Sequence, residues 1–250
     1  MRFTIATVTF NAAQVVERTI RSVISQDFDD YEYIIIDGQS TDGTLSIIKE
    51  YSNDIDIIIS EPDKGIYDGM NKAIYSAHGE YLLFMNAGDV FVDNNVLSQV
   101  SRSIDKSHPT VVYGDVIRQY TIGRRLVKAA KLSQLKTDMA FSHQSTFIQV
   151  VAMKEMPFRT EYRFAADYAM ILGFYLKRVC FLYTNFPISI VEADGGATFN
   201  HFLSSRREAL DIQLAVGCNP ILSRVYFAYV VTKLYTLRCI KSFYYKIRQK

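Results

Sequence analysis

Apolar and polar positions along the first hundred residues follow one repeating cycle: a short apolar run, a polar junction, then apolar residues at helical spacing. Phe3 to Phe10 is a β-branched run that predicts a strand, and Asn11 supplies a cap. Val16, Ile20, Val23 and Ile24 then share one face of a helix between Ala13 and Gln26. Tyr33 to Ile36 repeats the strand signal and stops at Asp37, after which Ser40 to Gly43 offers caps for a short helix over Leu45 to Tyr51. A third cycle pairs Ile55 to Ile59 with a helix from Ile66 to Ala77. A fourth pairs Tyr81 to Met85 with a helix capped by Asn94 and carrying Val96, Leu97, Val100 and Ile104.

Four strand–helix units in succession predict a parallel sheet, because parallel neighbours need a crossover between them. Strands that are apolar throughout are covered on both faces. The fold class is therefore α/β, a Rossmann-like, mostly parallel sheet flanked by helices. In such sheets ligands sit beyond the carboxyl ends of the strands. The polar residues gather there: Thr9 and Asn11 after strand one, Asp37 after strand two, Glu61 and Asp63 after strand three, Asn86 and Asp89 after strand four. The second half is more mixed, with a strand at Val111 to Tyr113, a hairpin across Gly123, a strand near Ser145 to Val151 and a helix from Asp167 to Lys177.

Composition adds boundaries to this picture. With 250 residues, 49% of them hydrophobic, there is ample material for one large core, and a disordered or collagen-like chain is excluded. We divide the chain into a catalytic domain over 1–219 and a helical tail over 220–250. A net charge of +2 gives no footprint for a nucleic-acid partner. Cys180, Cys218 and Cys239 are odd in number and lack zinc-type spacing, as expected of thiols in a reducing compartment. The segment Met1 to Asn11 lacks a leader-length apolar core, and no stretch reaches the 18 apolar residues of a spanning helix. A cytoplasmic location is expected.

No GxGxxG follows the first strand and no GxxxxGK occurs, so phosphate is not held by a glycine cradle. A carboxylate at a strand end, holding Mg²⁺ or Mn²⁺ whose shell is completed by substrate phosphate, is the alternative. Asp89 is the best-placed candidate; the competing reading is a turn or capping aspartate.

Thr9-Phe10-Asn11, Asp37 with Ser40-Thr41-Asp42-Gly43-Thr44, Ser60-Glu61-Pro62-Asp63-Lys64-Gly65-Ile66-Tyr67-Asp68 and Asn86-Ala87-Gly88-Asp89 together resemble glycosyltransferase family 2 in order and spacing. His143-Gln144-Ser145 and Ala166-Asp167-Tyr168 extend the resemblance to about residue 200 and towards the subgroup that builds bacterial surface polysaccharide. The resemblance implies a GT-A fold and an inverting transfer of sugar from a nucleotide diphosphate donor, a UDP-sugar. It implies that Thr9, Asn11 and Asp37 line the base and ribose pocket, Asp37 accepting from a base such as uracil, and that Asp63, Tyr67 and Asn71 shape the donor-sugar pocket. Asn86 and Gly88 stand at two positions that are often acidic, which leaves Asp89 as the metal ligand. His143 would contact the diphosphate or join the metal, or else be a structural side chain. Asp167 matches the catalytic base; at a helix start, capping explains an aspartate too.

Gly195-Gly196, following Glu192 and Asp194, reads as a flexible turn and in the family lies near the acceptor. The tail from Pro220 to Lys250 interleaves aromatic and basic residues, which suits a membrane surface and a lipid-linked or oligosaccharide acceptor, at the inner face of the cell membrane. The alternative is a helix packed on the domain or on a second copy in a homodimer. Two rival functions stay open: a nucleotidyltransferase, and a nucleotide-binding module without catalysis.

Overall fold

The protein is described from a computed structural model, whose described residues are 1–104, 107–193 and 201–248, with side chains as far as 236. Strands β1 (Phe3–Thr9), β2 (Tyr31–Asp37), β3 (Ile57–Ser60) and β4 (Tyr81–Phe84) lie in the order 3-2-1-4 and are all parallel. Successive residues of β2 feed opposite faces, which is why the strand is apolar throughout. Ile34 and Ile36 meet Tyr67, Met70 and Ile74 of α3 (Ile66–Ser76). Tyr33 and Ile35 share the other core with Val16, Ile20 and Val23 of α1 (Val16–Ile24), and α2 (Thr44–Glu50) adds Ile48 there.

Two expected caps are corrected. Asn11 does not cap α1, which begins five residues later; Asn11 is in the left-handed region at φ 49 and its side chain reaches the loop after β2. Asparagine tolerates that conformation better than most residues. Asn94 does not cap the fourth helix, α4 (Val96–Ile104), either: its Oδ1 accepts from Ser25, and Asp93 accepts from the Asn95 N–H instead.

Beyond β4 the sheet is mixed, so the all-parallel run is confined to the first four strands. The order continues β4-β8-β6-β9-β5, formed by β5 (Val90–Phe91), β6 (Val111–Tyr120), β8 (Thr146–Gln149) and β9 (Phe181–Glu192), with β7 (Gly123–Val127) hairpinned onto β6. β8 runs antiparallel to both β4 and β6, and β9 pairs parallel to β6 and antiparallel to β5. Three helices then follow the fifth, α5 (Val150–Glu155): α6 (Ala166–Leu176), α7 (Phe202–Ala215) and α8 (Pro220–Arg248). Among the described residues no helix is long and apolar enough to cross a membrane. Asp194, Gly195 and Gly196 lie outside the described residues, as does the side chain of Cys239.

Candidate active site

The strand order reverses between β1 and β4, and ligands of open α/β sheets bind at such a switch point. Thr9 ends β1 in register with Asp37 at the end of β2. The hydroxyl of Thr9 and the Oδ1 of Asn86 are buried at this rim with no hydrogen-bond partner among the described residues. Buried polar atoms are nearly always paired, so two orphans at one rim mark where a ligand's polar groups would fit.

Asp37 is fully buried, and its carboxylate accepts from the Ser40 N–H at 3.0 Å, the Ser40 hydroxyl and the Ser60 hydroxyl at 2.7 Å. It thus braces the loop after β2, with Oδ2 holding two of these bonds and Oδ1 one. Asn11 joins the same brace, its N–H donating to Ser40 Oγ at 2.8 Å and its Oδ1 accepting from the Thr41 N–H at 2.9 Å. The carboxylate that does face this loop is Asp63. A Cβ placed on Gly38 would lie 2.5 Å from Asp63 Oδ2 and 3.4 Å from the ring of Phe10, which is 62% exposed. Gly38 leaves space for that carboxylate, and Phe10 offers a ring beside it. Sequence reasoning gave Phe10 no role.

The turn after β4 is clamped from α1. Thr19 Oγ1 donates to Asp89 O at 2.8 Å and accepts from the Gly88 N–H at 2.9 Å, while Arg18 donates to Gly88 O and pairs with Glu192 at 2.9 Å. Gly88 sits at φ 102, a conformation that strains other residues, so the turn itself explains a glycine where an acid is common. Asp89 is 8% exposed, and burial pushes its pKa up to about 7, against the opposing pull of His143, Gln144 and Arg18.

Asp167 sits in the first turn of α6. Its Oδ1 accepts from the Tyr168 N–H at 2.8 Å and from the Tyr67 hydroxyl at 3.0 Å, and its Oδ2 meets His143 Nδ1 at 2.8 Å. Burial would raise its pKa, but these bonds, that of His143 above all, outweigh burial and hold Asp167 below the usual carboxylate range. His143 is shifted the other way: burial opposes its charge, yet the hydrogen bond and charge of Asp167, with Asp89 behind, raise its pKa. Its Nε2 is buried with no partner. Tyr67 is both core and site, its ring 5.4 Å from that of Phe158 and its hydroxyl on the base candidate; burial and Asp167 drive its pKa well up.

The amide of Asn71 accepts from the Phe158 N–H and donates to the Phe158 carbonyl, both at 2.9 Å, so it pins Phe158 beside the site and keeps one donor and one acceptor position besides. A residue missed entirely is Glu208 on α7, whose carboxylate accepts from the N–H groups of Arg163, Phe164 and Ala165 at 3.0, 2.8 and 3.1 Å. It fixes the segment that leads into Asp167. Nothing in the sequence signals this, since the partners are more than forty residues apart.

Among the described residues no three His, Cys, Asp or Glu side chains converge as a ligand set. The residues still fit a divalent ion of the kind completed by substrate oxygens. Asp89 is a carboxylate whose charge burial opposes, and the orphaned Asn86 oxygen lies three residues before it.

The family model described as Glycosyl transferase family 2 matches residues 4–164. A PGL/p-HBAD biosynthesis glycosyltransferase of Mycobacterium bovis (strain BCG / Pasteur 1173P2) is 33% identical over 171 residues, which is 66% of this chain and 66% of that protein's own length. Among solved structures, S. aureus TarS in complex with UDP is similar at a TM-score of 0.69 and 19% identity, over 94% of this chain and 72% of that one. The mannosyltransferase PcManGT from Pyrobaculum calidifontis, in complex with GDP-Man and Mn²⁺, gives a TM-score of 0.68 and 15% identity over 91% of this chain and 68% of that one. At such identities the structural likeness carries the fold, GT-A. The sequence match carries more, since it spans over half of the chain: this protein belongs to glycosyl transferase family 2.

Proposed function

We propose that the protein is an inverting glycosyltransferase that moves a sugar from a UDP-sugar to an acceptor hydroxyl during assembly of a cell-surface glycan. The observation that supports this most is the environment of Asp167, a carboxylate kept ionised by its bond to His143, an imidazole that also feels the charge of Asp89. Relatives support the donor class: TarS has been solved with UDP and with UDP-GlcNAc.

In this reading the proton goes to one oxygen of Asp167. A carboxylate oxygen has two lone pairs, and those of Oδ1 are both engaged, by Tyr67 and the Tyr168 N–H. Oδ2 has only His143, so it is the oxygen left to accept the acceptor's hydroxyl proton as the acceptor oxygen bonds to the anomeric carbon and the diphosphate departs from the far side. A positioned base of this kind is worth about 10²–10⁴ in rate. Thr9, Asn11, Asp37 and Asp63 form the base and ribose end of the donor pocket, with Asp37 acting through the loop it braces. Asp89 and Asn86 would hold Mg²⁺ or Mn²⁺, which when bound neutralises charge on the leaving diphosphate. The proposed acceptor is a lipid-linked saccharide at the cytoplasmic face of the membrane, with α8 lying on that surface.

The test is thermal stability with UDP, GDP, CDP and TDP, each with and without Mn²⁺. Saturation near 100 times the dissociation constant adds about 2.7 kcal/mol. We expect UDP to stabilise most, Mn²⁺ to enhance it, and Asp89→Ala to remove the enhancement. No response to any nucleotide would reject donor binding by this chain.

A further inference from the structure

Charge is distributed unevenly along the chain. Residues 1–115 carry 8 Lys and Arg against 18 Asp and Glu, whereas 116–137 carry 6 basic residues and no acidic one, and 212–250 carry 7 and none. The first basic segment is the β6–β7 hairpin and its exit; the second is the end of α7 with α8. They meet in space. The exit ends at Thr137 and Asp138, where Gln213 donates to the Thr137 carbonyl at 2.9 Å and the Tyr226 hydroxyl donates to Asp138 at 2.8 Å.

Within the hairpin, Arg118 and Arg125 stand directly opposite each other, both exposed, and neither has an ion-pair partner among the described residues. Like charges facing across a ladder are destabilising unless an anion lies over them. At the turn, Ile122 is 99% exposed and Leu126 on the return strand is 49% exposed. On α8, Ile221, Val225 and Tyr229 are exposed at 73, 60 and 58% and recur at four-residue spacing on one face, with the Lys233 ammonium 5.8 Å from the Tyr229 ring. Both elements thus present apolar residues set among cations.

We infer that the β6–β7 hairpin is a membrane-docking element that acts with α8, placing Ile122 in the headgroup layer of an anionic leaflet and Arg118 and Arg125 against lipid phosphates. Charges alone would serve to guard the exposed edge strand β7, but an exposed isoleucine at the tip does not guard an edge. It also argues against a soluble polyanion, which has no apolar layer to receive it. The turn end of the hairpin is tied to the site: Gln119, one rung from the Tyr120–Gly123 pair, pairs with Glu192, and Glu192 pairs with the Arg18 that holds the turn before Asp89. Docking by the hairpin would therefore set the site's mouth at the bilayer, which rests on the proposed use of a lipid-linked acceptor.

The test is flotation of the full chain with vesicles of phosphatidylcholine alone or mixed with phosphatidylglycerol. We expect binding to the mixed vesicles only, weakened by salt. Arg118→Glu with Arg125→Glu should lower the partition roughly tenfold or more, given the worth of each cation at an anionic surface. Ile122→Ser should lower it several-fold, with the thermal midpoint and the UDP response unchanged in both variants. Equal binding by the variants and the unmodified chain would overturn the inference. So would binding to phosphatidylcholine alone that matches the mixture, or loss of vesicle binding to an inorganic polyphosphate competitor with Ile122→Ser without effect. The assay contains neither donor nor acceptor, so failure here with an intact UDP response rejects only the docking surface, and the converse rejects only the donor-site reading.

Discussion

Asp167→Asn separates chemistry from structure at this site. Asparagine is nearly isosteric with aspartate, and its single carbonyl oxygen must occupy the Oδ1 position, where the Tyr168 N–H and the Tyr67 hydroxyl both donate. The amide NH₂ then faces His143 Nδ1, which accepts it once the imidazole is neutral; with the carboxylate gone, the charge that raised the His143 pKa is gone as well. Every hydrogen bond around position 167 survives, so unfolding free energy should change by no more than about 1 kcal/mol. The lone pair that takes the acceptor's proton does not survive, and kcat should fall about 10²–10⁴-fold. Donor KM and UDP affinity should stay near those of the unmodified chain, because the role proposed for Asp167 is towards the acceptor hydroxyl. UDP release with a saccharide acceptor, beside urea denaturation of both proteins, reads the two quantities separately. Turnover within tenfold of the unmodified enzyme would refute Asp167 as base, and a large loss of stability would refute the bonding scheme.

Three further outcomes follow from the same geometry. Glu208→Ala leaves three N–H groups before α6 without their acceptor, so it should cost about 2–3 kcal/mol in denaturant unfolding and lower kcat more than it raises donor KM; Glu208→Gln, which keeps one acceptor oxygen, should recover part of both, and equal losses in the two variants would contradict the reading. For Asp89, a folded pKa raised from 3.8 to about 7 means that the native state binds the extra proton, so without metal its contribution to stability falls as pH rises through that window, by about 4 kcal/mol; Asp89→Asn should flatten this slope in a pH series of chemical denaturations, and parallel slopes would sink the assignment. Gly38→Ala puts a methyl group 2.5 Å from Asp63 Oδ2 and must swing that carboxylate aside. UDP binding by calorimetry should weaken about tenfold with little change in the thermal midpoint, whereas unchanged affinity would remove Asp63 from the base pocket.

What was legible in the sequence was what period and local polarity encode. β1 to β4 and their helices were readable because each strand is buried on both faces and each helix has one apolar stripe. β9 was not, since Asn185 at φ 58 and Pro187 interrupt its pattern and its pairing with β6 slips register at Asp115. At the site, motif order singled out Asp89, His143, Tyr67 and Asp167, which the structure groups around His143 and Asp167, but not their mutual bonds. That Asp37 is turned inward, that Asn71 is occupied with Phe158 and that Glu208 steadies the approach to α6 depend on which hydrogen bonds long-range packing permits, and no local pattern records them.

The change from parallel to mixed pairing at the β4–β8 seam has a consequence for how such a protein diversifies. Nearly everything assigned to the nucleotide sits before that seam, while Asp167 and Glu208 come after it, and the match to the family model ends at residue 164, short of both. Among the described residues the side-chain bonds that join the two parts include Tyr67 to Asp167 and Asn71 to Phe158 from α3, Arg18 to Glu192, and Lys154 to the Ala77 carbonyl. A lineage can therefore keep one half as an inherited donor cassette and exchange the other to suit a new acceptor, provided these bonds are re-made.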